Sequence, residues 1–391
     1  MRARSSFGPC SAIALCVTLG HAAALDPSTA HTFVVGSSPA LAACAQVDAS
    51  SSRRSPSLLP THPIVSGALR LGRGIRQAPA SDSSGNLLIA FDDGRLSEID
   101  QQGHSKWSAA ADAEIVSAPI ITSNGSRIVV TQNGEVHAFD EHGLTRCRHA
   151  LPGVDTQRET LAIPTPAGGV LLANNAHLLV LNASCELERD THTTDRVVSI
   201  LASARALIAV LADGSVLRAA AIGGFERVAH LGGKFEGAAL RDGELLALAD
   251  RHTLVSLDLA SRTRRTLAVE SGLTLRGSPL LLADGGTLLV TDDELLSVRD
   301  ADGRETARIP LAAGNRTLQR PRAPSLIVDA HGTVLSVQPG QPAISVSSDG
   351  KLTPIEAATC GEPFPPVPLG AGRVAIACRS GQLFYLAEKA P

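Results

Sequence analysis

Two short landmarks recur in fixed phase along this chain. The first is a small residue followed by proline, at Ala78-Pro79, Ala118-Pro119, Thr165-Pro166, Ser278-Pro279 and Ala323-Pro324, with Pro365-Pro366 closing the series. The second is a turn pair ahead of a short alternating stretch: Asp93-Gly94, Asn133-Gly134, Asn175-Ala176, Asp213-Gly214, Asp293-Glu294, Pro339-Gly340 and Ser380-Gly381. The second turn residue follows the proline by 15 positions at Gly94, Gly134, Glu294 and Gly381, and by 16 at Gly340. A phase held that far identifies a repeat array, which decides the fold before any single residue does. Two units lack the proline; one carries Asp213-Gly214 and the other Asp250-Arg251-His252. The total is eight repeats of roughly 40 residues, the length of a four-stranded propeller blade.

One repeat shows how the residues dictate the strands. Residues 79–81 open an innermost strand, where proline is tolerated because the first residue need not donate to the ladder. Ser84-Gly85 turns the chain, and residues 86–91 (Asn-Leu-Leu-Ile-Ala-Phe) form an apolar strand covered on both faces. Asp93-Gly94 supplies the positive φ that a tight hairpin demands. Residues 95–100 alternate as a half-covered strand, Gln102-Gly103 turns again, and residues 104–110 around Trp107 make the outer strand. Three hairpins in about 40 residues leave no room for a helix, so the expected fold is all-β. The last repeat stops after its third strand, 382–388, while residues 64–76 stand spare ahead of the first proline. Pairing the spare strand with the last blade would close the ring and protect two open edges.

The run Asp92-Asp93-Gly94-Arg95-Leu96-Ser97-Glu98-Ile99-Asp100, followed by Gly103 and Trp107, resembles the pyrroloquinoline-quinone-type propeller repeat. A second match begins at Asn133-Gly134 and runs through Asp140 to Gly143. The resemblance covers about residues 62–391 and loosens after the second repeat. It implies an eight-bladed propeller of four-stranded antiparallel blades. The chain departs from the pattern in having one tryptophan, so docking between blades is expected to rest on Leu, Val, Ile and Ala, in line with 44% hydrophobic and 3% aromatic residues.

The 391 residues would allow two or three ordinary domains, but the repeats absorb residues 62–391 into one ring. A formal charge of −3 with both signs interspersed indicates no nucleic-acid-binding field. Ahead of the ring, Arg2, Arg4, the short apolar run 12–19 and Ala22-Ala23-Ala24 read as a signal peptide over residues 1–24. Leu41-Ala42-Ala43-Cys44 is similar to the lipobox of bacterial lipoproteins. Processing there would make the leader 1–43 and Cys44 the lipidated first residue, with 44–61 as a Ser/Pro-rich linker. Both readings imply an exported protein in the periplasm, at the outer membrane or at the cell surface, touching membrane only through a lipid.

Setting aside Cys10, Cys16 and Cys44 leaves Cys147, Cys185, Cys360 and Cys378, an even number suited to an oxidising compartment. Cys147 and Cys185 could face each other across blades two and three, and Cys360 and Cys378 across blades seven and eight. Three connectivities, and free buried thiols, stay open.

Candidate chemistry is sparse. The sequence has no nucleophile elbow, phosphate loop or Cys-x-x-Cys pair. His137, His142, His149 and Cys147 are its densest metal-capable set, at a spacing that fits no zinc pattern. Asp300-Ala301-Asp302-Gly303 starts like a calcium loop but lacks the later ligands, which leaves a hairpin turn. Arg70, Arg73 and Arg76 could meet an acidic partner or simply be solvated. No catalytic, cofactor or metal site is expected. A quinoprotein dehydrogenase and a polysaccharide-binding propeller are the alternatives. The first would need a vicinal cysteine pair and planar-cofactor stacking residues, the second aromatic platforms and paired carboxylates. In size and plan the chain is more similar to the propeller lipoproteins of the outer-membrane barrel-assembly machinery. That resemblance implies a monomeric, non-catalytic scaffold presenting loops to an envelope protein, with 152–163 as the first candidate surface.

Overall fold

The computed structural model describes residues 40–42, 55, 57–154, 160–203, 206–220, 223–241, 243–269, 274–292, 295–311 and 325–389. All named elements are strands, and they form eight antiparallel sheets. Blade one is typical: Ala80–Asp82, Leu87–Ala90, Arg95–Ile99 and Ser105–Ala110 pair in chain order from the inside outward. Inner strands of consecutive blades touch from blade one to blade seven, and the last touches the first. The last inner strand, Val367–Gly370, meets the first through Ser81 Oγ, which donates to Pro368 O at 2.7 Å.

The ring closes by the spare strand. Pro63–Arg70 pairs antiparallel with Gln382–Glu388, in register from Pro63 opposite Glu388 to Arg70 opposite Gln382. The strand stops at Arg70. Beyond it Leu71 N donates to Gly381 O and Ile75 N to Arg379 O, carrying the chain from blade eight into blade one. The last part of the expected linker is docked as well: Ser55 N donates to Val328 O and Leu59 N to Asp329 Oδ2, both on blade seven. A short strand, Ala40–Ala42, pairs along the inner strand of blade one.

The core lies between blades, because side chains on one strand alternate between two neighbours. In blade one Leu87 and Ile89 pack toward blade eight, while Leu88 and Ala90 pack toward blade two. Both sides being buried explains why the second strand of each blade reads as a continuous apolar run. Each fully buried Leu or Ile contributes about 1.5–3 kcal/mol.

Some landmarks sit differently from their sequence reading. Pro166 lies in the turn after Leu161–Pro164 and opens no strand. Pro279 falls in a register shift inside Leu275–Leu281, where a bulge spares the ladder an amide donor. The proline-free inner strands Val197–Ser203 and Phe235–Arg241 run longer than those of blades one to three. Asp250 and Arg251 make their hairpin with φ of 50° and 61°, doing without glycine.

The outer strands show what replaces the missing tryptophans. Trp107 lies over Gly143 in the third turn of blade two, where a Cβ would come within 2.6 Å of the indole. One repeat on, the outer strand Thr145–Ala150 carries Cys147, disulfide-bonded to Cys185 in the equivalent turn of blade three. Cys185 takes the glycine-like φ of 62° in that turn. In the next repeat Arg189 donates to Gly223 O at 2.7 Å, and later Leu267 packs over Gly303. Leu69 of the closing strand covers Gly103 in the same way. Docking thus rests on a varied plug set over a constant turn, and not on aliphatic residues alone.

Cys360 is bonded to Cys378, joining the connection into blade eight to the turn of that blade. Peptide mapping without reductant should recover 147–185 and 360–378. With sequence separations of 38 and 18, each bond should contribute about 2–4 kcal/mol, seen as a lower urea midpoint after reduction. Mixed connectivities, or an unchanged midpoint, would count against this framework.

Tyr385, the only tyrosine, sits opposite Gly67 on the closing seam, and its buried hydroxyl has no partner. Burial, and then the charge of Asp100, push the hydroxyl up to about 12. The neutral form is the one the fold favours, so this stabilisation is complete below about pH 10 and is lost between about 10 and 12, on the order of 2 kcal/mol. Absorbance of phenolate should therefore rise near pH 12 in the folded protein and near 10 in urea; a native midpoint at 10 would place the ring in solvent.

Candidate interaction face

Strand direction alternates within a blade, so the turn between second and third strands shares one end of the ring with the inter-blade connections. The two other turns lie at the opposite end. The first end is here the connection face, the second the turn face.

Ion pairs link neighbouring blades around the connection face. Arg73 pairs with Asp93 and Arg76 with Glu114, so these two arginines already hold internal carboxylates; Arg70 is exposed on the closing strand. Arg148 bonds Glu135 and also Asp112 at 2.9 Å. Its guanidinium holds Glu135 below the usual carboxylate range, and Glu135 in turn raises Arg148. Arg251 reaches Asp292 at 3.3 Å and Glu236 at 3.4 Å, and Arg379 reaches Glu362 at 3.5 Å. Pairs this exposed contribute little individually to stability. Their effect is to cover the face with oriented, salt-sensitive charge of both signs.

The turn face is built by a repeated carboxylate. Asp100, Asp140, Asp258 and Asp300 each accept two backbone N–H bonds from the turn that follows. The amides of Leu144 and His142 hold Asp140 below its ordinary range. The calcium-like run at Asp300 is one of these turns, with Asp300 Oδ1 accepting from Asp302 and Arg304.

The sequence-predicted candidates are dispersed. His137 is buried on a strand, 3.4 Å from Glu135 Oε2, and burial lowers its pKa. His142 is exposed in a turn, and Cys147 is in a disulfide. Cys44 and residues 155–159 of the 152–163 connection lie outside the described residues. A Ser-His-Asp set unnoticed in the sequence does meet in blade four, where Ser215 Oγ lies 3.3 Å from His230 Nδ1. Ser215 is buried and donates to Asp213 at 3.1 Å, so the carboxylate orients the hydroxyl and leaves the imidazole unoriented, the reverse of a nucleophile's arrangement. Among the described residues one potential metal-holding group is gathered, His177, Asp190 and His192, which the sequence did not suggest.

A family model described as "Outer membrane protein assembly factor BamB" matches residues 66–307. Among solved structures, BamB from Moraxella catarrhalis superposes with a TM-score of 0.62 at 17% identity, covering 84% of this chain and 98% of that one. The computationally designed Ika8 protein gives 0.61 at 13% identity over 84% and 99%. Virginiamycin B lyase from Staphylococcus aureus gives 0.52 at 12% identity over 83% and 99%. Likenesses at these identities show the propeller fold alone, and it is the match over 66–307 that places the protein: this chain belongs to the BamB family of outer-membrane protein assembly factors.

Proposed function

We propose that this protein is an exported, non-catalytic propeller scaffold of the bacterial cell envelope that works in outer-membrane protein assembly and holds its partner on the connection face. The observation carrying this reading is the family match across 66–307, combined with a face tiled by inter-blade ion pairs. Rigid blades supply a fixed platform, and loops with charge of both signs steer and register a protein partner. The chain works as a monomer, because the closing strand covers the edge of the last blade.

The anchor geometry supports the same face. Ser55 and Leu59 meet blade seven at Val328 and Asp329, and Thr61 N donates to Glu388 Oε2 at 2.6 Å. These contacts lie at the turn end, so the last part of the linker meets the ring opposite the connection face. An acyl chain on Cys44 would direct the connection face away from the membrane. Incorporation of a palmitate analogue in wild type but not in Cys44→Ala is the expected result; label in both, or in neither, rejects acylation there.

In-cell crosslinking with affinity capture tests the function. An outer-membrane barrel-assembly protein should be recovered. Another envelope partner would keep the scaffold and remove the assembly role, and turnover of a small alcohol would remove both.

A further inference from the structure

Blade three carries an arrangement with no counterpart in its neighbours. His177 begins the third strand, His177–Leu181, and lies directly opposite His192, at the end of Leu187–His192. Thr193 N donates to Ala176 O, which makes 176/193 the hydrogen-bonded pair. His177 and His192 therefore form the closer, non-hydrogen-bonded kind of pair, with side chains side by side. Their rings stack at 4.2 Å, 7° from parallel. Asp190 precedes His192 by two residues and so shares its face. Its carboxylate bonds His177 Nε2. Blade two has Glu135 and Arg148 at the positions of His177 and Asp190, an anion bridged by a built-in cation. Blade three instead collects two imidazoles and a carboxylate and supplies only a proton between them.

The burial of this group points the same way. His177 is 4% exposed, yet its Nδ1 has no hydrogen-bond partner. The nitrogen turned to the group is Nε2, which meets Asp190. Gly153 closes over the ring, where a Cβ would stand 3.2 Å from Nδ1 and Cε1, so only glycine lets the connection approach this closely. Asp190 and His192 are exposed, which leaves an entry path and an open position. One donor atom from each of the three residues lies within 4.8 Å of the others. Two ligands on one tetrahedral zinc ion stand about 3.4 Å apart, so a rotation of the exposed His192 completes the approach.

We propose that His177, Asp190 and His192 bind one divalent transition-metal ion of the zinc type. Two imidazole nitrogens and one carboxylate oxygen suit zinc rather than calcium or magnesium. The ion takes the place of the hydrogen between His177 Nε2 and Asp190, the neutral ring then carrying its one hydrogen on Nδ1, and water fills the remaining position. The site fixes the outer strand of blade three to its hairpin beside the connection from blade two. It departs from the expectation of no metal, which rested on the His137, His142, His149 and Cys147 set and the calcium-like run at Asp300.

The experiment uses untagged protein stripped with chelator and titrated with Zn²⁺ by calorimetry. One ion per chain should bind to wild type. His192→Ala, an exposed position, should weaken binding by at least about 10–100-fold, the cost of losing even a supporting partner of a metal ligand. Asp190→Asn should do the same, while His142→Ala in a remote turn should bind as wild type. Zn²⁺ should raise the melting temperature of wild type and of His142→Ala but not of His192→Ala. No stoichiometric binding to wild type, or equal binding by wild type and His192→Ala, would overturn the site.

Discussion

A chain begun at Leu71, without the closing strand, should lose about 5 kcal/mol or more of stability and should self-associate. The deletion strips the outer register partners from Gln382–Glu388, which keeps only its ladder to Arg373–Ala377, and removes Val65 and Leu69 from the core cluster they pack against, together with buried Leu59. Buried Leu59 at about 1.5–3 kcal/mol, partly buried Val65 and Leu69 at about 1 kcal/mol each, and the open edge together account for the figure. Gly103 also loses the Leu69 side chain that covers it. What remains is a strand with one open edge, the template for pairing with another chain. Appending residues 58–70 behind Pro391 should restore the loss. Lys389 N already donates to His62 O beside the Pro63–Glu388 pair, so the permuted chain would close the blade as an ordinary hairpin. Urea unfolding and gel filtration read both variants. A truncated protein as stable and monomeric as the full chain would refute closure by this strand.

Glu98→Ala should cost about 3–5 kcal/mol in the same assay. Glu98 is 1% exposed on the third strand of blade one, and its side chain receives Arg127 of blade two at 2.8 Å and Lys106 at 2.6 Å. Arg127 is 5% exposed, so removing the carboxylate leaves a buried guanidinium with only Gly125 O and Asp82, 4.0 Å away, as partners. Lys106 reaches solvent and can rehydrate. The double variant Glu98→Ala/Arg127→Leu should recover most of the loss, because an apolar pair of similar bulk is often as stable as a buried ion pair. Two additive losses would show that the residues act independently.

Most of the fold was legible because a propeller repeats its signals. Blade number, strand order and closure follow from the turn phase and the three-strand final repeat, even though Pro166 and Pro279 occupy other places in their blades. Periodicity makes a missing or displaced proline harmless, since the neighbouring turns hold the count. Docking between blades was less legible. The column holding Trp107 holds Cys147 one repeat later, and the column holding Gly143 holds Cys185; aligning the repeats residue by residue would have paired those cysteines. The histidine group was hidden for another reason. His177 is far in sequence from Asp190 and His192, and only strand register makes them neighbours. Charge pairing across blades, as between Arg73 and Asp93, has no repeat signature at all, because each pair joins unlike residues.

Placing a photo-crosslinking residue at single exposed positions on each end of the ring tests the scaffold account most directly. Thr194 and Ser380 lie on the connection face, and Asn124 and Ser348 on the turn face. Crosslinks in living cells from Thr194 and Ser380 to one envelope protein, with none from Asn124 or Ser348, are the predicted result. Crosslinks from Asn124 and Ser348 alone would contradict the account.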